Sequence, residues 1–110
     1  MRQITKQATS ALRDGHTFKL ANTAVTSFDG RHCMFLHGHI IAARRHDVPA
    51  ISLSLCGWNT PTTRERLNGI AQAYGLPVRF CQRNHAAWVR EIDTGREYEI
   101  DPSDVLTFEY

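Results

Sequence analysis

The sequence predicts an α+β protein in which an antiparallel β-meander sheet is packed by an N-terminal helix and a second helix near residues 61–74. Two observations support this class. Apolar residues recur with helical spacing at the N-terminus and again after Pro61, and short β-rich runs separated by turn signals fill most of the remaining chain. The 110 residues have the size of one ordinary domain. We therefore predict a single α+β domain over residues 1–110, with residues 91–110 as its acidic C-terminal segment.

The first helix is predicted over residues 3–14. Its apolar side chains fall on one narrow face, formed by Ile4, Ala8, Ala11 and Leu12. Gly15 follows directly and is suited to end the helix in a left-handed conformation. The narrow face indicates a helix that lies on a sheet rather than at the centre of the protein.

A meander of three or four antiparallel strands is predicted after the first helix. The β-rich runs lie at residues 22–28, 31–36, 39–44 and 50–55. Asp29-Gly30 and His37-Gly38 are short turn signals between the first three runs. In the last run apolar residues alternate with serine or cysteine, which predicts a strand with one apolar face.

The second helix is predicted to begin at Thr60 and Pro61, because threonine is a favourable N-cap and proline suits the first helical position. The pair Thr62 and Glu65 also fits a capping box, so two starting points stay open. Gly69 lies inside this helix, where glycine costs about 1 kcal/mol relative to alanine. We interpret it as a position of close packing on the sheet.

The C-terminal third of the chain predicts more strands, at residues 77–81, 86–92 and 96–100, with a turn between the first two. Residues 101–108 fit either a short helical turn or a last strand. Because a last strand can add to the edge of a sheet in a second chain, both a monomer and a homodimer stay open.

Several classes of protein and site are disfavoured by what the sequence lacks. It has no run of about 18 apolar residues and no signal-peptide pattern at the N-terminus, so we expect a cytoplasmic protein with no membrane partner. Cys33, Cys56 and Cys81 are odd in number and widely spaced, which is typical of small buried hydrophobic residues rather than a disulfide framework. Without zinc-type spacings, a nucleophile elbow or a phosphate-binding loop, we predict no metal, no cofactor and no catalytic residue.

The net charge of +2 conceals two regions of opposite sign. Residues 1–90 contain twelve Lys or Arg and four Asp or Glu, a net charge of +8, whereas residues 91–110 have a net charge of −6. A basic body of this kind favours a polyanionic partner. The acidic end either pairs with the basic residues inside the fold, repels a polyanion, covers the basic surface in the free protein or binds a basic partner.

The segment Gly57–Asn68 (GWNTPTTRERLN) is the least ordinary part of the chain. Helix initiation explains its threonines and its proline, but not Arg64 and Arg66, which fall near the positive end of the helix dipole. Either carboxylates of the acidic end or an external anion is expected to neutralise them. Helix amides, threonine hydroxyls and guanidinium groups together would form a phosphate site.

The sequence therefore predicts an anion- and nucleic-acid-binding site at this helix start. Its candidate residues are Arg64, Arg66, Thr60, Thr62, Thr63, Arg44, Arg45 and Trp58. Arg44 and Arg45, at the end of a predicted strand, would extend the site. Trp58 is expected to be mostly buried as a lid over the core, and an exposed Trp58 would stack on bases of a single strand.

The stretch Ser54–Ile70 resembles a family of small proteins encoded mainly by bacteriophages. The shared features are an N-terminal helix, a hairpin with an LHGxxIA-like pattern at Leu36–Ala42 and a GWxTxTTRxRLN stretch, and the likeness covers roughly residues 4–91. The family is described as having no known function. The resemblance implies a phage or prophage context, a location in the bacterial host cytoplasm and a small accessory role, with no catalytic residues to carry over.

Three functions stay open at this point. The first is a non-enzymatic accessory protein that binds DNA or RNA through a basic helix N-terminus. The second is a protein–protein module that inhibits or redirects a host or defence enzyme. The third, and least favoured, is a small enzyme of unidentified chemistry, which would need a cleft whose titratable groups have shifted pKa values.

Overall fold

The computed structural model describes Met1–Tyr110 and contains two helices and nine strands. The helices are α1 (Gln3–Asp14) and α2 (Pro61–Ala73). The strands are β1 (Phe18–Leu20), β2 (Thr23–Phe28), β3 (Arg31–Leu36), β4 (His39–Arg45), β5 (Ala50–Ser54), β6 (Val78–Arg83), β7 (Ala86–Glu91), β8 (Glu97–Ile100) and β9 (Val105–Glu109). The predicted α+β class is confirmed. Neither helix has the length and apolar character needed to cross a membrane.

Six strands form one antiparallel sheet in the order β1-β2-β3-β4-β5-β9. The strands from β1 to β5 are neighbours in sequence and in space. Strands β2 to β5 form the predicted meander, and β1 is a further strand that the sequence did not predict. Asp29-Gly30 and His37-Gly38 make its two tight turns, and all four residues have positive φ, as two-residue hairpin turns of this type require. Residues 105–109 form a strand rather than a helical turn, and this strand pairs with β5 of the same chain.

The other three strands form a second antiparallel sheet in the order β6-β7-β8. Asn84 and His85 make the turn between β6 and β7, and both have positive φ. Phe80 and Val89 are paired across this hairpin and are buried. Because side chains alternate along a strand, the residues on either side of them project to the opposite, outer face.

One hydrophobic core joins both helices and both sheets. Its fully buried members include Leu12 of α1, Leu67 of α2, Met34 and Leu53 of the six-stranded sheet and Val89 of the three-stranded sheet. Burying each of these large apolar side chains stabilises the fold by roughly 1.5–3 kcal/mol. The second sheet is therefore attached to the first by side-chain packing rather than by a shared strand ladder.

Asn68 attaches α2 to the edge of the second sheet. Its side-chain amide donates to the carbonyl oxygen of Phe80 at 3.0 Å, and its side-chain oxygen accepts from the amide of Phe80 at 2.7 Å. Both backbone groups belong to the edge strand β6, where no further strand is present to bind them. This contact fixes the first two turns of α2 beside β6.

Gly69 packs α2 against α1, which corrects the expectation of close packing on the sheet. A Cβ atom at this position would overlap Cγ2 of Thr5, whose side chain is fully buried in α1. Glycine is therefore required by the separation of the two helices. Its cost in helix propensity is offset by that packing.

The three cysteines are free thiols. Cys33 is buried, as predicted, and burial raises the pKa of its thiol. Cys56 and Cys81 are only partly buried, and Sγ of Cys56 donates to the carbonyl oxygen of Ile40 at 2.7 Å. The prediction of a small buried hydrophobic residue therefore fits Cys33 better than the other two.

Candidate functional site

Thr60 caps the N-terminus of α2. Its hydroxyl accepts a hydrogen bond from the amide of Thr63 at 3.2 Å, and Pro61 occupies the first helical position. The alternative capping box is not formed, because the carboxylate of Glu65 points towards α1. Since proline has no N–H and the amide of Thr63 is used, the amide of Thr62 is what remains for an external anion at this end. The helix start alone is therefore a weaker phosphate site than the sequence predicts.

Arg66 lies inside the protein, which corrects the expectation that it faces an external anion. It is 1% exposed and donates hydrogen bonds to the hydroxyls of Thr5 and Thr23 and to the carboxylate of Glu65. Its charge is balanced by this neighbouring carboxylate rather than by the acidic end of the chain. Arg66 therefore belongs to the interior of the fold and not to a binding surface.

Glu65 is the centre of a polar network between α1 and α2. Its carboxylate accepts hydrogen bonds from the hydroxyl of Thr5, the amide of Arg2 and the guanidinium group of Arg66. Partial burial by itself raises the pKa of Glu65, but these hydrogen bonds and the charge of Arg66 outweigh it and hold the pKa below its ordinary value. The network links the two helices.

Arg44 and Arg45 are the last two residues of β4. They lie at the opposite end of the strand from its first residue, a distance of roughly 20 Å. Arg44 donates to the carbonyl oxygens of Leu12 and Arg13 at 2.9 and 2.8 Å, where a cation is favourable at the C-terminal end of α1. Arg45 forms an exposed ion pair with Asp47 at 3.2 Å. The structure therefore does not bring these two arginines to the start of α2, where they were expected to extend the site.

Trp58 is 55% exposed, which corrects the expectation of a buried lid. Cys56 and Gly57 both have positive φ, and this turn directs the following residue away from the core. Leu55 occupies the buried position beneath it instead. A large exposed aromatic side chain beside the core marks a candidate contact surface.

A cleft of about 420 Å³ lies between the β3–β4 turn and the start of α2. We call it the aromatic cleft, and it is lined by Leu36, His37, His39, Ile41, Leu55, Trp58, Thr60, Thr62 and Thr63. The ring centroids of His39 and Trp58 are 5.9 Å apart and the rings are tilted by 39°. Trp58 and the three threonines of this cleft are among the site residues that the sequence predicts. The two histidines of the cleft are not among them. His37 is a specified position of the LHGxxIA-like pattern, which is a signal for it, whereas His39 falls at a variable position of the pattern.

Arginines line the other side of the first turn of α2. Arg64 donates to the side-chain and backbone oxygens of Asn59 at 2.7 and 3.1 Å, and it lines a second cleft together with Arg79 of β6. Arg79 is paired directly with Arg90 of β7, and both are exposed. We call Arg64, Arg79 and Arg90 the arginine row. None of the three forms an ion pair within the protein.

The sequence contains a signal for this row. Arg79 and Arg90 are equally distant from the turn formed by Asn84 and His85, and two-residue turns fix the register of a hairpin. A hairpin drawn around this turn therefore places the two arginines opposite each other. The proximity of Arg79 to Arg64 depends on the packing of α2 beside β6 and has no signal in the sequence.

The acidic end forms no ion pair with the arginine row, although Glu97 lies directly opposite Arg90 across β7 and β8. Of the ion pairs in the protein, one joins residues 1–90 to residues 91–110, namely Arg83 with Glu97. The guanidinium group of Arg83 also lies over the ring of Trp88, 5.9 Å from its centroid. General pairing of the basic body with the acidic end inside the fold is therefore not observed.

A family model described as the Kyanoviridae Gp96 protein matches residues 1–106. The chain belongs to this family. It is a family of phage proteins whose function is not established, in agreement with the resemblance read from the sequence. The match extends beyond residues 4–91 and includes most of the acidic end. No curated protein and no solved structure matches the chain.

In this member of the Gp96 family, the groups with shifted pKa values lie outside the aromatic cleft. No group of three or more His, Cys, Asp or Glu side chains is arranged to hold a metal ion. The cleft is lined by an exposed indole, two imidazoles and an apolar floor, and of its three hydroxyls that of Thr62 has no partner within the protein, whereas those of Thr60 and Thr63 bind each other. This arrangement is suited to stacking and hydrogen bonding.

Proposed function

We propose that this phage protein is a non-enzymatic accessory protein that binds nucleic acid through the arginine row and the adjacent aromatic cleft. The observation that carries the proposal is the direct pairing of Arg79 with Arg90 across β6 and β7. Like charges directly opposite each other in a sheet are destabilising. Glu97 lies opposite Arg90 on the other side, but its ion pair is with Arg83, and no carboxylate forms an ion pair with Arg79 or Arg90. Phosphate groups of a nucleic acid would supply the missing negative charge.

Arg64 supports the same surface from α2. Two hydrogen bonds from its Nη1 to Asn59 hold one end of the guanidinium group. Its Nε and Nη2 form no hydrogen bond within the protein, and Arg64 lines the same cleft as Arg79. The proposed interface is therefore centred on three arginines from α2, β6 and β7, rather than on the helix N-terminus alone.

The proposal is tested by fluorescence anisotropy with labelled DNA and RNA oligonucleotides at about 50 and 200 mM salt. We expect binding that weakens steeply with salt, since each phosphate contact adds about one unit to the salt slope. Arg79→Glu with Arg90→Glu should weaken binding to every oligonucleotide. Lys6→Glu with Lys19→Glu changes the net charge equally at exposed positions on α1 and β1, and this control should retain most of the affinity.

Two results would contradict the proposal. If wild-type protein binds no oligonucleotide at about 50 mM salt, nucleic-acid binding is wrong. If the Arg79→Glu, Arg90→Glu protein binds as tightly as its lysine control, the arginine row is not the interface.

A protein–protein module that inhibits or redirects a host or defence enzyme is the second candidate function. It is favoured by a groove of about 460 Å³ on the six-stranded sheet, lined largely by small and apolar side chains and bordered by Val105, which is 64% exposed. Exposed apolar surface of this kind is common at protein interfaces. Val105→Glu should abolish a stoichiometric complex isolated from infected cells, whereas Ile92→Glu, at a second exposed apolar position outside the groove, should not. A complex unaffected by Val105→Glu would exclude this groove.

A further inference from the structure

The aromatic cleft has an apolar floor and an aromatic wall open to solvent. Leu36, Ile41 and Leu55 form the floor and are at most 3% exposed, so they also belong to the core. Trp58 leaves more than half of its surface in water beside this floor, and His39 lies next to it. A flat ligand can therefore cover the indole face while its edge reaches the rim of the cleft.

The chemistry of the lining limits what this ligand can be. No Lys, Arg, Asp or Glu lines the cleft. A phosphate, carboxylate or ammonium group would enter it without an opposite charge, which is unfavourable away from water. The hydroxyls of Thr60 and Thr63 bind each other, whereas the hydroxyl of Thr62 and the imidazole of His39 have no hydrogen-bond partner within the protein. A purely aliphatic side chain would leave these two groups without one. An uncharged planar heterocycle with donors and acceptors along its edge meets both conditions, and nucleobases have this chemistry.

The position of the cleft relative to the arginine row favours a base that is part of a strand. Thr60, Thr62 and Thr63 line the aromatic cleft, whereas Pro61 and Arg64 of the same helical turn line the arginine side. A base in the cleft would therefore have a neighbouring phosphate on the side of Arg64. Bases inside a duplex are stacked and paired, so a base reaches this cleft only from a single strand or after it is flipped out.

We propose that the aromatic cleft holds one unstacked nucleobase and that the protein therefore prefers single-stranded to double-stranded nucleic acid. This inference rests on the proposed nucleic-acid binding and adds the form of the substrate. Trp58 provides the stacking surface, and the hydroxyl of Thr62 and the imidazole of His39 bind the edge of the base. The arginine row binds the flanking phosphates without regard to sequence.

The experiment compares single strands of DNA and RNA, duplexes of the same length and single strands with abasic sites, all by anisotropy at about 50 mM salt. Wild-type protein should bind intact single strands at least about tenfold more tightly than abasic strands or duplexes. Trp58→Leu should lose this preference and keep the weaker, salt-dependent binding that is common to all of them. The comparison of DNA with RNA shows whether the sugar contributes.

Phe28→Leu is the matched control, because Phe28 is also 55% exposed but lies at the β2–β3 turn, outside the cleft. It should bind like wild type. Thermal unfolding of both variants checks that they fold, as expected for substitutions of exposed side chains.

The outcomes separate this inference from the proposed function. Equal binding of single strands, abasic strands and duplexes, with unchanged sensitivity to Arg79→Glu and Arg90→Glu, overturns the base-binding cleft and leaves nucleic-acid binding in place. The same holds if Trp58→Leu weakens all oligonucleotides equally or weakens none. Absence of binding to every oligonucleotide overturns both.

Discussion

At the scale of single residues, the buried guanidinium group of Arg66 is the most demanding feature of the structure. Moving a charge out of water costs several kcal/mol, and this cost is recovered only when good partners surround it. Thr5, Thr23 and Glu65 supply these partners from α1, β2 and α2. The charge therefore favours one arrangement of the three elements over others in which it would lack them.

Arg66→Met tests this role. The substitution keeps much of the volume but leaves two buried hydroxyls and a carboxylate without their donor, so we expect a loss of about 3 kcal/mol in the free energy of unfolding. Chemical denaturation measures it. Arg79→Met, at an exposed position without an ion pair, is the control and should change stability by less than about 0.5 kcal/mol. Equal stabilities of the two variants would contradict a structural role for Arg66.

His32 gives the protein a pH-dependent stability. It is 7% exposed, its Nδ1 lies 3.0 Å from the hydroxyl of Ser27, and its ring centroid lies 4.0 Å from that of His46. Burial, followed by the charges of His46 and Arg44, lowers the pKa of His32 below its ordinary value of 6.5. The unfolded chain therefore binds this proton at a higher pH than the folded protein does. Stability is highest above the unfolded pKa and decreases as the pH falls below it.

We expect the melting temperature to decrease between pH 7.5 and pH 5, and we expect His32→Gln to reduce the contribution of this residue to that decrease. Thermal unfolding across this range measures both. His16→Gln, at an exposed histidine, should leave the pH dependence close to that of wild type. A pH profile of His32→Gln that coincides with wild type would contradict the assignment.

At the scale of elements, the close contact between α1 and α2 depends on the absence of a side chain at Gly69. Alanine usually stabilises a helix by about 1 kcal/mol relative to glycine. At Gly69 the added methyl group would overlap Thr5, which cannot easily move because its hydroxyl is bound to Glu65 and Arg66. The steric effect should therefore outweigh the gain in helix propensity.

Gly69→Ala is expected to destabilise the protein by about 1–3 kcal/mol, the usual cost of overpacking. Adding Thr5→Ser removes the overlapping methyl group and keeps the hydroxyl, so it should restore part of this loss. Gln72→Ala, at an exposed site of the same helix, should have little effect. If Gly69→Ala raised the unfolding free energy, the close contact between the helices would be wrong.

The aromatic cleft also belongs to the scale of elements, because neither of its two sides forms it alone. The tight His37-Gly38 turn presents one wall, and the loop around Trp58 with the start of α2 presents the other. The two segments are separated along the chain by β4 and β5, and the core brings them together. This is why the two motifs that carry the family resemblance meet at one place.

At the scale of the whole molecule, charge is distributed so that the arginine row remains without an ion pair inside the protein. The +8 body and the −6 end are joined by one ion pair, Arg83 with Glu97, and the arginine row takes no part in it. A positive surface raises the rate at which a polyanion associates, and salt weakens this effect. The salt dependence expected of oligonucleotide binding is therefore a property of the whole charge distribution.

Local patterns determined most of the secondary structure. The helical spacing of apolar residues, together with Gly15, predicted α1 at Gln3–Asp14. The pairs Asp29-Gly30 and His37-Gly38 predicted two hairpins, because tight two-residue turns need residues that tolerate positive φ. Strand β1 has three residues, too few to show a period, and the pattern does not indicate it. The division of nine strands into two sheets also has no local signal, since it depends on which faces share the core.

The sequence by itself determined the α+β class, a helix start at residues 60–62 and the surplus of positive charge in residues 1–90, because each depends on neighbours in the chain or on composition. The structure decided for Thr60 as the cap, because Glu65 binds Thr5 of α1 instead of closing a capping box. Only the tertiary structure decided which side chains of the Gly57–Asn68 segment face solvent. Arg66 is buried because its partner Thr5 lies 61 residues away along the chain, and Trp58 is exposed because Leu55 fills the core in its place. Exposure depends on contacts between residues that are distant in the chain, and the local periodicity of a sequence does not predict these contacts.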